Sequence, residues 1–351
     1  MKIAFDATPL TVPTGGVTRY VVELRRALES TFPQDRYHFL SDQLVARRPD
    51  WPDHWTTPPP GRFAPKWWLA GLPLTLRRER FDVFHGTDFS VPYWRTSPSV
   101  LSLHDLSPWR EVGWHIGADR VRQRTPWLLR LGRATLVLTL SEAVRREAIS
   151  RFGLPPDRVV AVPLAAGPAF RLRPRNPGAT PYFLFVGTLE PRKNLPFLVE
   201  AWREVWKRHR VPLVLAGRRR EDGPEFSPQD GLILTGAVTE ESLCDLYANA
   251  LAVAYPSLYE GFGLPILEAM QSGAAVLTSH DPAVTEVAGG AAWQGDATDV
   301  SAWVEGMSAC VTAPTRLAQW REAGLRRASQ FSWQRTAKET RAVYEEALRR
   351  G

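Results

Sequence analysis

The sequence predicts an α/β protein made of two doubly wound parallel sheets. Three observations carry that expectation. At 351 residues the chain is long for one hydrophobic core and sufficient for two. Its opening reads strand, glycine loop, helix, which is how a doubly wound sheet begins. The alternation of strand and helix then starts afresh at Tyr182, after a polar stretch dense in proline and glycine, residues 166–181. The expected organisation is a first domain over 1–165, a linker over 166–181, a second domain over 182–331, and a last helical segment over 332–351.

Within the first domain, residues 2–6 (KIAFD) form a strand, and the loop after it ends in Gly15-Gly16. Val17, Val21, Leu24 and Leu28 recur at helical spacing with Tyr20 on the same side. Gly15 and Gly16 at that helix entry suit either a phosphate cradle or a plain tight turn, and no GxGxxG fingerprint is present. Residues 37–41 read as a strand, and 42–65, rich in Pro, Trp and Asp, as an irregular loop. Residues 66–80 (KWWLAGLPLTLRRER) join indoles to a basic end, which suits a bilayer interface or, equally, a proline-interrupted helix packed on the sheet. Short strands follow at 82–85 and 99–104, the second ending in His104-Asp105. Residues 108–133 mix Trp109, Trp114 and Trp127 with six arginines, a composition for an acceptor or membrane face. A strand at 134–140 leads to a helix capped by Ser141 and ended by Gly153, and 158–162 is the next strand.

In the second domain, the strand 182–186 runs into GTLEPRKN, residues 187–194, and a helix with Leu198, Trp202, Val205 and Trp206. Gly187 leaves the strand, and Arg192-Lys193 places a guanidinium and an ammonium at a helix entry, where they can neutralise a diphosphate. The chain has only five lysines and otherwise uses Arg, so a lysine beside Arg192 points to a wanted point charge. Strands at 212–216 and 232–234 end at Gly217 and Gly236, and Val238 precedes a helix over 240–249. The strand 251–254 then leads into YPSLYEGFGLPILEA, Tyr255–Ala269. Glu260 and Glu268 bracket seven residues that include Gly261, Phe262, Gly263 and Leu264. The glycines allow close backbone approach, Pro265 suits a first helical turn, and the amides at that helix start attract an anion. Carboxylates there can accept sugar hydroxyls. The strand 274–279, a turn and strand within 281–293, and helices at about 298–312, 315–329 and 332–348 complete the chain.

Composition bounds the function. With 44% hydrophobic and 23% charged residues the chain is an ordinary globular protein. The first strand is interrupted at once by Asp6, unlike a signal peptide, and no apolar run approaches the roughly 20 residues of a spanning helix. Cys244 and Cys310 lack metal-ligand spacing and read as reduced core thiols, so a cytoplasmic protein is expected. The net charge of +7 falls entirely on residues 1–165, which hold 23 Lys+Arg against 16 Asp+Glu. That asymmetry points to an acidic partner on this half: a lipid headgroup surface, an anionic carrier or nucleic acid.

The YEGFGLPxLEA context around Glu260 and Glu268, with GTLEPRKN and the His104-Asp105 pair, resembles retaining glycosyltransferase family 4, whose fold is GT-B: two Rossmann-like domains facing each other across a cleft. The resemblance covers almost the whole chain and is strongest over 182–293. It implies that Arg192 and Lys193 grip the donor diphosphate, beside the Gly15-Gly16 loop. It implies that Glu260 holds a sugar hydroxyl, Glu268 the ribose, and His104 the sugar's outer edge. The nucleotide base would lie near Val238, and the last helix would cross back to the first domain. The reaction would be transfer of a hexose with retention, from GDP-mannose as first expectation and a UDP-hexose as second. Its acceptor would be a glycan or lipid-linked glycan of a surface polysaccharide. With no D-x-D pair, no metal is expected, and no cofactor beyond the donor itself. The localisation implied is cytoplasmic, at the inner face of the cell membrane, with the basic half on an anionic membrane surface. Competing readings are a sugar-nucleotide epimerase of the same fold and a non-catalytic protein binding anionic ligands. A nucleic-acid binder has no need for Glu260, Glu268 and His104-Asp105 together, and no lysine stands out to hold the pyridoxal group of a phosphorylase.

Overall fold

A computed structural model describes every residue except 13–14, 47, 49–50, 53, 56, 58–65, 116 and 177. Much of the expected 42–65 loop, and Pro13 and Thr14 before Gly15, lie outside the described residues. The chain forms two compact units: Met1–Leu164 with Trp333–Gly351, and Ala165–Ser332.

The first unit holds six parallel strands, β1 (Lys2–Asp6), β2 (Arg36–Leu40), β3 (Val83–Gly86), β4 (Ser99–Leu103), β5 (Leu136–Thr139) and β6 (Val159–Ala161), in the order β2-β1-β3-β4-β5-β6. Most are short apolar runs because helices cover both faces of such a sheet. The helices are α1 (Gly16–Thr31), α2 (Leu72–Arg78), α3 (Asp119–Arg130) and α4 (Glu142–Phe152). Local chemistry sets the ends of α4: Ser141 Oγ accepts the Val144 N–H at 3.2 Å, and Gly153 stops the helix at φ 62°. Residues 66–80 settle as one π-helical turn, Trp67–Gly71, continuing into α2. Trp67 is buried and the Trp68 ring lies edge-on to Phe84, so these two indoles pack on the sheet rather than face a bilayer.

The second unit has β7 (Phe183–Val186), β8 (Leu213–Ala216), β9 (Leu232–Gly236), β10 (Ala252–Tyr255), β11 (Ala275–Ser279) and β12 (Trp293–Gly295), all parallel, in the order β12-β11-β10-β7-β8-β9. Its helices are α5 (Leu195–His209), α6 (Glu240–Asn249), α7 (Leu264–Gln271), α8 (Pro282–Ala288), α9 (Val300–Thr312) and α10 (Pro314–Ala328). Helix α8 stands where the sequence suggests only a turn and strand. Asp281 caps it by accepting the Ala283 and Val284 amides, each at 3.0 Å, which leaves only Trp293–Gly295 for the strand. The stretch after Leu164 enters this unit directly, with Phe170 buried against the Tyr247 ring of α6. Cys244 in α6 and Cys310 in α9 are buried and free.

The chain returns to the first unit as α11 (Trp333–Arg349), which packs along α1. Its Tyr344 hydroxyl meets buried His85 Nδ1 at 2.7 Å, and Arg341 pairs with Asp35 at 2.7 Å. Among the described residues no helix is long and apolar enough to cross a membrane.

Candidate active site

In doubly wound sheets ligands lie beyond the carboxyl ends of the strands, where the strand order reverses. In the second unit that reversal falls between β7 and its neighbour β10. The loops leaving those two strands are 187–194 and 256–263, so the topology alone brings the Arg192-Lys193 pair to the Glu260 loop. The backbones are joined: the Leu258 N–H donates to Arg192 O at 2.9 Å.

The side chains converge. Glu260 accepts from Arg192 Nη1 at 3.0 Å through one oxygen and from the Lys193 ammonium through the other. Lys193 also donates to the Tyr255 hydroxyl at 2.9 Å, and Arg192 Nη1 to Tyr259 O at 2.9 Å. Lys193 and Glu260 are each only 5% exposed, which makes this a desolvated ion cluster. Burial alone would push the Glu260 carboxyl up, but Lys193 and Arg192 outweigh it and hold the group down at about 2. Burial, with Arg192 beside it, lowers the Lys193 ammonium from its ordinary value. Asn194, in the left-handed conformation at φ 56°, turns the chain into α5 and ties the loop down through Ala297 O at 2.8 Å.

The Glu260 loop ends at Gly263, whose φ of 96° a side chain would strain. No side chain caps α7; Pro265 carries no N–H and the Ile266 N–H donates to Gly263 O at 2.9 Å, so within the first turn it is the Leu264 amide that can meet another acceptor. Gly261 and Phe262 are buried, with the Phe262 ring edge-on to Phe331. Glu268, within α7, is held apart from the cations: its Oε2 accepts the Tyr247 hydroxyl at 3.0 Å, and it is almost fully buried. Gly187, at φ 149°, lies under the Lys193 stem, while Val238 is half-buried in the turn before α6.

Several residues of this cluster escaped the sequence reading. Glu190 sits inside GTLEPRKN and is buried, with Oε1 at 2.7 Å from Arg192 Nε and Oε2 at 2.7 Å from Arg220 Nη1. Asp281 accepts the Glu260 N–H at 3.3 Å as well as capping α8, and burial pushes its carboxyl up to about 6. In the sequence Asp281 stands only at the head of the turn and strand expected within 281–293. Tyr255, the last residue of β10, stands at the head of the Tyr255–Ala269 stretch, where nothing in the sequence marks its hydroxyl as a partner of Lys193.

The first unit carries the remaining candidates. Its strand order reverses between β1 and β3. Gly15 caps and Gly16 opens α1 at the end of the loop from β1, with open space where either side chain would stand. His104 follows β4. Its Nε2 lies 2.6 Å from Thr87 O, and since a carbonyl only accepts, Nε2 carries the proton and Nδ1 the lone pair. Burial lowers its pKa, and its ring stands edge-on to Tyr20 at 5.0 Å.

Known proteins share the sequence pattern and the fold. Residues 180–313 match the family described as glycosyl transferases group 1, and residues 14–166 match glycosyltransferase family 4. O-antigen chain mannosyltransferase B of Escherichia coli is 32% identical over 386 aligned positions, covering 98% of this chain and 99% of the other. The MMP alpha-(1->4)-mannosyltransferase of Mycolicibacterium hassiacum is 30% identical over 61% of this chain and 54% of its own. Among solved structures, sucrose-phosphate synthase from Thermosynechococcus elongatus is similar with a TM-score of 0.76 at 18% identity, across 100% of both chains. Anabaena HepE, solved in complex with UDP-glucose, is similar with a TM-score of 0.74 at 18% identity, across 99% of this chain and 100% of that one.

Proposed function

The chain belongs to glycosyltransferase family 4, with two parallel-sheet α/β units of the GT-B kind, and from that premise we propose that it transfers mannose from GDP-mannose, with retention, to a glycan or lipid-linked acceptor in surface polysaccharide synthesis. The observation that carries the reading is the desolvated cluster of Arg192, Lys193 and Glu260 at the switch point of the second sheet. Mannose is favoured because the full-length relative is named a mannosyltransferase. A UDP-hexose is the second donor.

The chemistry follows from what each group has left to offer. Lys193 has three N–H donors and gives two of them to Tyr255 and Glu260, which leaves one for a phosphate oxygen. Arg192 and the amides at Gly263–Leu264 add charge complementarity on the departing diphosphate. One such preorganised donor is typically worth about 10²–10³ in rate. A carboxylate has about four acceptor positions, so Glu260 can keep both cations and still accept a sugar hydroxyl. Glu268 is assigned to the ribose, His104 to the sugar's edge through its Nδ1, and Gly15-Gly16 to the diphosphate. In the transfer step the acceptor oxygen bonds to the anomeric carbon on the face from which the phosphate leaves. The anomeric carbon–oxygen bond breaks, and the leaving phosphate takes the acceptor's proton. No carboxylate becomes a covalent nucleophile, and the two cations fill the electrostatic place of a divalent metal.

The test is a thermal-shift panel of GDP, UDP, ADP and dTDP, followed by acceptor-dependent release of the nucleotide from its sugar. GDP should give the largest stabilisation, rising with RT ln(1 + [L]/Kd). Release of nucleotide from GDP-mannose should need an acceptor. Conversion of the donor without any acceptor would replace transfer by epimerisation.

A further inference from the structure

The loop that carries the Arg192-Lys193 pair also carries an acid that the transfer step leaves unassigned. Glu190 is 6% exposed and stands between two guanidiniums, with Oε1 at 2.7 Å from Arg192 Nε and Oε2 at 2.7 Å from Arg220 Nη1. Its backbone is fixed from both directions. Pro191 after it favours the extended conformation that Glu190 adopts, at φ −140° and ψ 159°. Leu189 before it is laced to the loop leaving β8: its N–H donates to Arg218 O at 2.9 Å, and its carbonyl accepts the Arg220 N–H at 3.1 Å. That approach needs a glycine, since a Cβ on Gly223 would stand 2.0 Å from Leu189 O. Glu190 precedes the 3₁₀ turn Pro191–Lys193, where an acid ordinarily accepts an amide of its own turn. Its side chain makes no such cap and reaches to the two arginines instead. Arg220 is gripped in turn by Asp222, Nη2 donating to Oδ2 at 2.9 Å. The Arg192 guanidinium is thereby held at two edges, Nε against Glu190 and Nη1 on Glu260 and Tyr259 O. Charge balance alone does not ask for this, because an exposed acid balances a guanidinium without the desolvation cost of a buried one.

We propose that Glu190 is a positioning residue for the transfer reaction: it fixes the bearing of the Arg192 guanidinium on the departing diphosphate, and Arg220 is the brace that holds Glu190 in place. The planar fork of Arg192 stands at the end of a long side chain, and its hold on a phosphate depends on direction as well as charge. Without Glu190 the fork would be left to Glu260, which the sugar also needs. The inference rests on the transferase reading and deepens it, adding two residues that act through Arg192 and touch neither sugar nor phosphate.

The experiment is a double-mutant cycle on steady-state transfer from GDP-mannose by the full chain, with the Kd for GDP read by calorimetry. Glu190→Gln keeps the shape of the side chain and removes its charge. It should lower kcat about ten-fold or more, while KM for GDP-mannose and Kd for GDP change by less than about two-fold. Arg192→Lys alone should lower kcat about 10²-fold, and Glu190→Gln added to it should lower it by no more than about two-fold further, because the fork that Glu190 aims is then gone. Arg220→Gln, on a partly exposed side chain, should lower kcat about three-fold, again with no further loss on top of Arg192→Lys. It carries the test if Glu190→Gln moves the urea midpoint. Losses that multiply, or variants at Glu190 and Arg220 as fast as the wild type, would overturn the proposal. Loss of GDP binding in step with kcat, at an unchanged urea midpoint, would overturn it too, by making Glu190 part of the nucleotide site. A wild type that neither binds GDP nor transfers sugar would sink the transferase reading itself, and this role with it.

Discussion

At the scale of the residue, the carboxylate of Glu260 has two duties that pull against each other. In the proposed reaction it orients the hexose, and in the structure it neutralises Arg192 and Lys193. Truncating it to Ala would leave two buried cations without their partner, a change that costs about 3–5 kcal/mol in comparable pairs. Glu260→Gln is the cleaner probe, since it keeps the shape and removes only the charge. It should bind nucleoside diphosphate more tightly than wild type, because nothing anionic competes for the cations, yet transfer the sugar about 10²-fold more slowly. Calorimetric titration with GDP, paired with turnover of GDP-mannose, separates the two effects, and a variant impaired in both would deny Glu260 its role on the sugar. None of this pairing could be read along the chain. Arg192 and Glu260 lie 68 positions apart, and no local periodicity records that β7 and β10 become neighbours. What the sequence did display was residue chemistry: the RK pair, and a glycine-bordered acid.

At the scale of the element, helix α7 is placed by its entry. Gly263 at φ 96° lets the Glu260 loop turn directly into the helix, and an added Cβ would stand 3.0 Å from Ile266 Cδ1. Gly263→Ala should therefore destabilise the fold by about 1–2 kcal/mol through backbone strain. It should also swing the Leu264 amide off line, which raises the apparent Kd for GDP. Thermal unfolding with and without GDP measures both, and an Ala variant with wild-type stability and affinity would contradict the strained entry. Long elements with apolar periodicity, such as α1, α5 and the buried strands, were readable from sequence because burial sets their residue pattern. Helix α8 was not. Its seven residues span too little for a period to emerge, and the Gly289-Gly290 pair beyond it reads as a turn. Two 3₁₀ turns, Ser107–Trp109 and Val112–Trp114, are likewise too short for any period to mark them.

At the scale of the molecule, two of the buried acids, both beside the candidate site, pull the pH dependence of stability in opposite directions. Glu260, held down at about 2 from an ordinary 4.5, contributes stability that is present above pH 4.5 and lost as pH falls through about 2. Asp281, pushed up by burial to about 6 from 3.8, contributes stability that is complete below pH 3.8 and lost as pH rises through about 6. Asp281→Asn keeps an oxygen to cap α8 and removes Asp281's share of the second slope, to which Asp6 and Asp88, both pushed up by burial to about 7, also contribute. Urea midpoints of wild type should fall relative to this variant between pH 4 and 7, by the equivalent of about 2 kcal/mol. Parallel curves would mean that Asp281 is not desolvated in solution. The same substitution should leave the acid limb below pH 4 unchanged, since Asp281 is already protonated there and acids held down by cations, Glu260 and Asp35 among them, set it.

The central claim is that two cations in place of a metal hold the departing diphosphate. It is tested most directly by measuring acceptor-dependent transfer from GDP-mannose in excess EDTA, for the wild type and for Lys193→Ala. The wild type should keep its full rate, and Lys193→Ala should fall by about 10²–10³. A wild type that is silent until Mg²⁺ or Mn²⁺ is restored, or a Lys193→Ala enzyme as fast as its parent, would contradict the account.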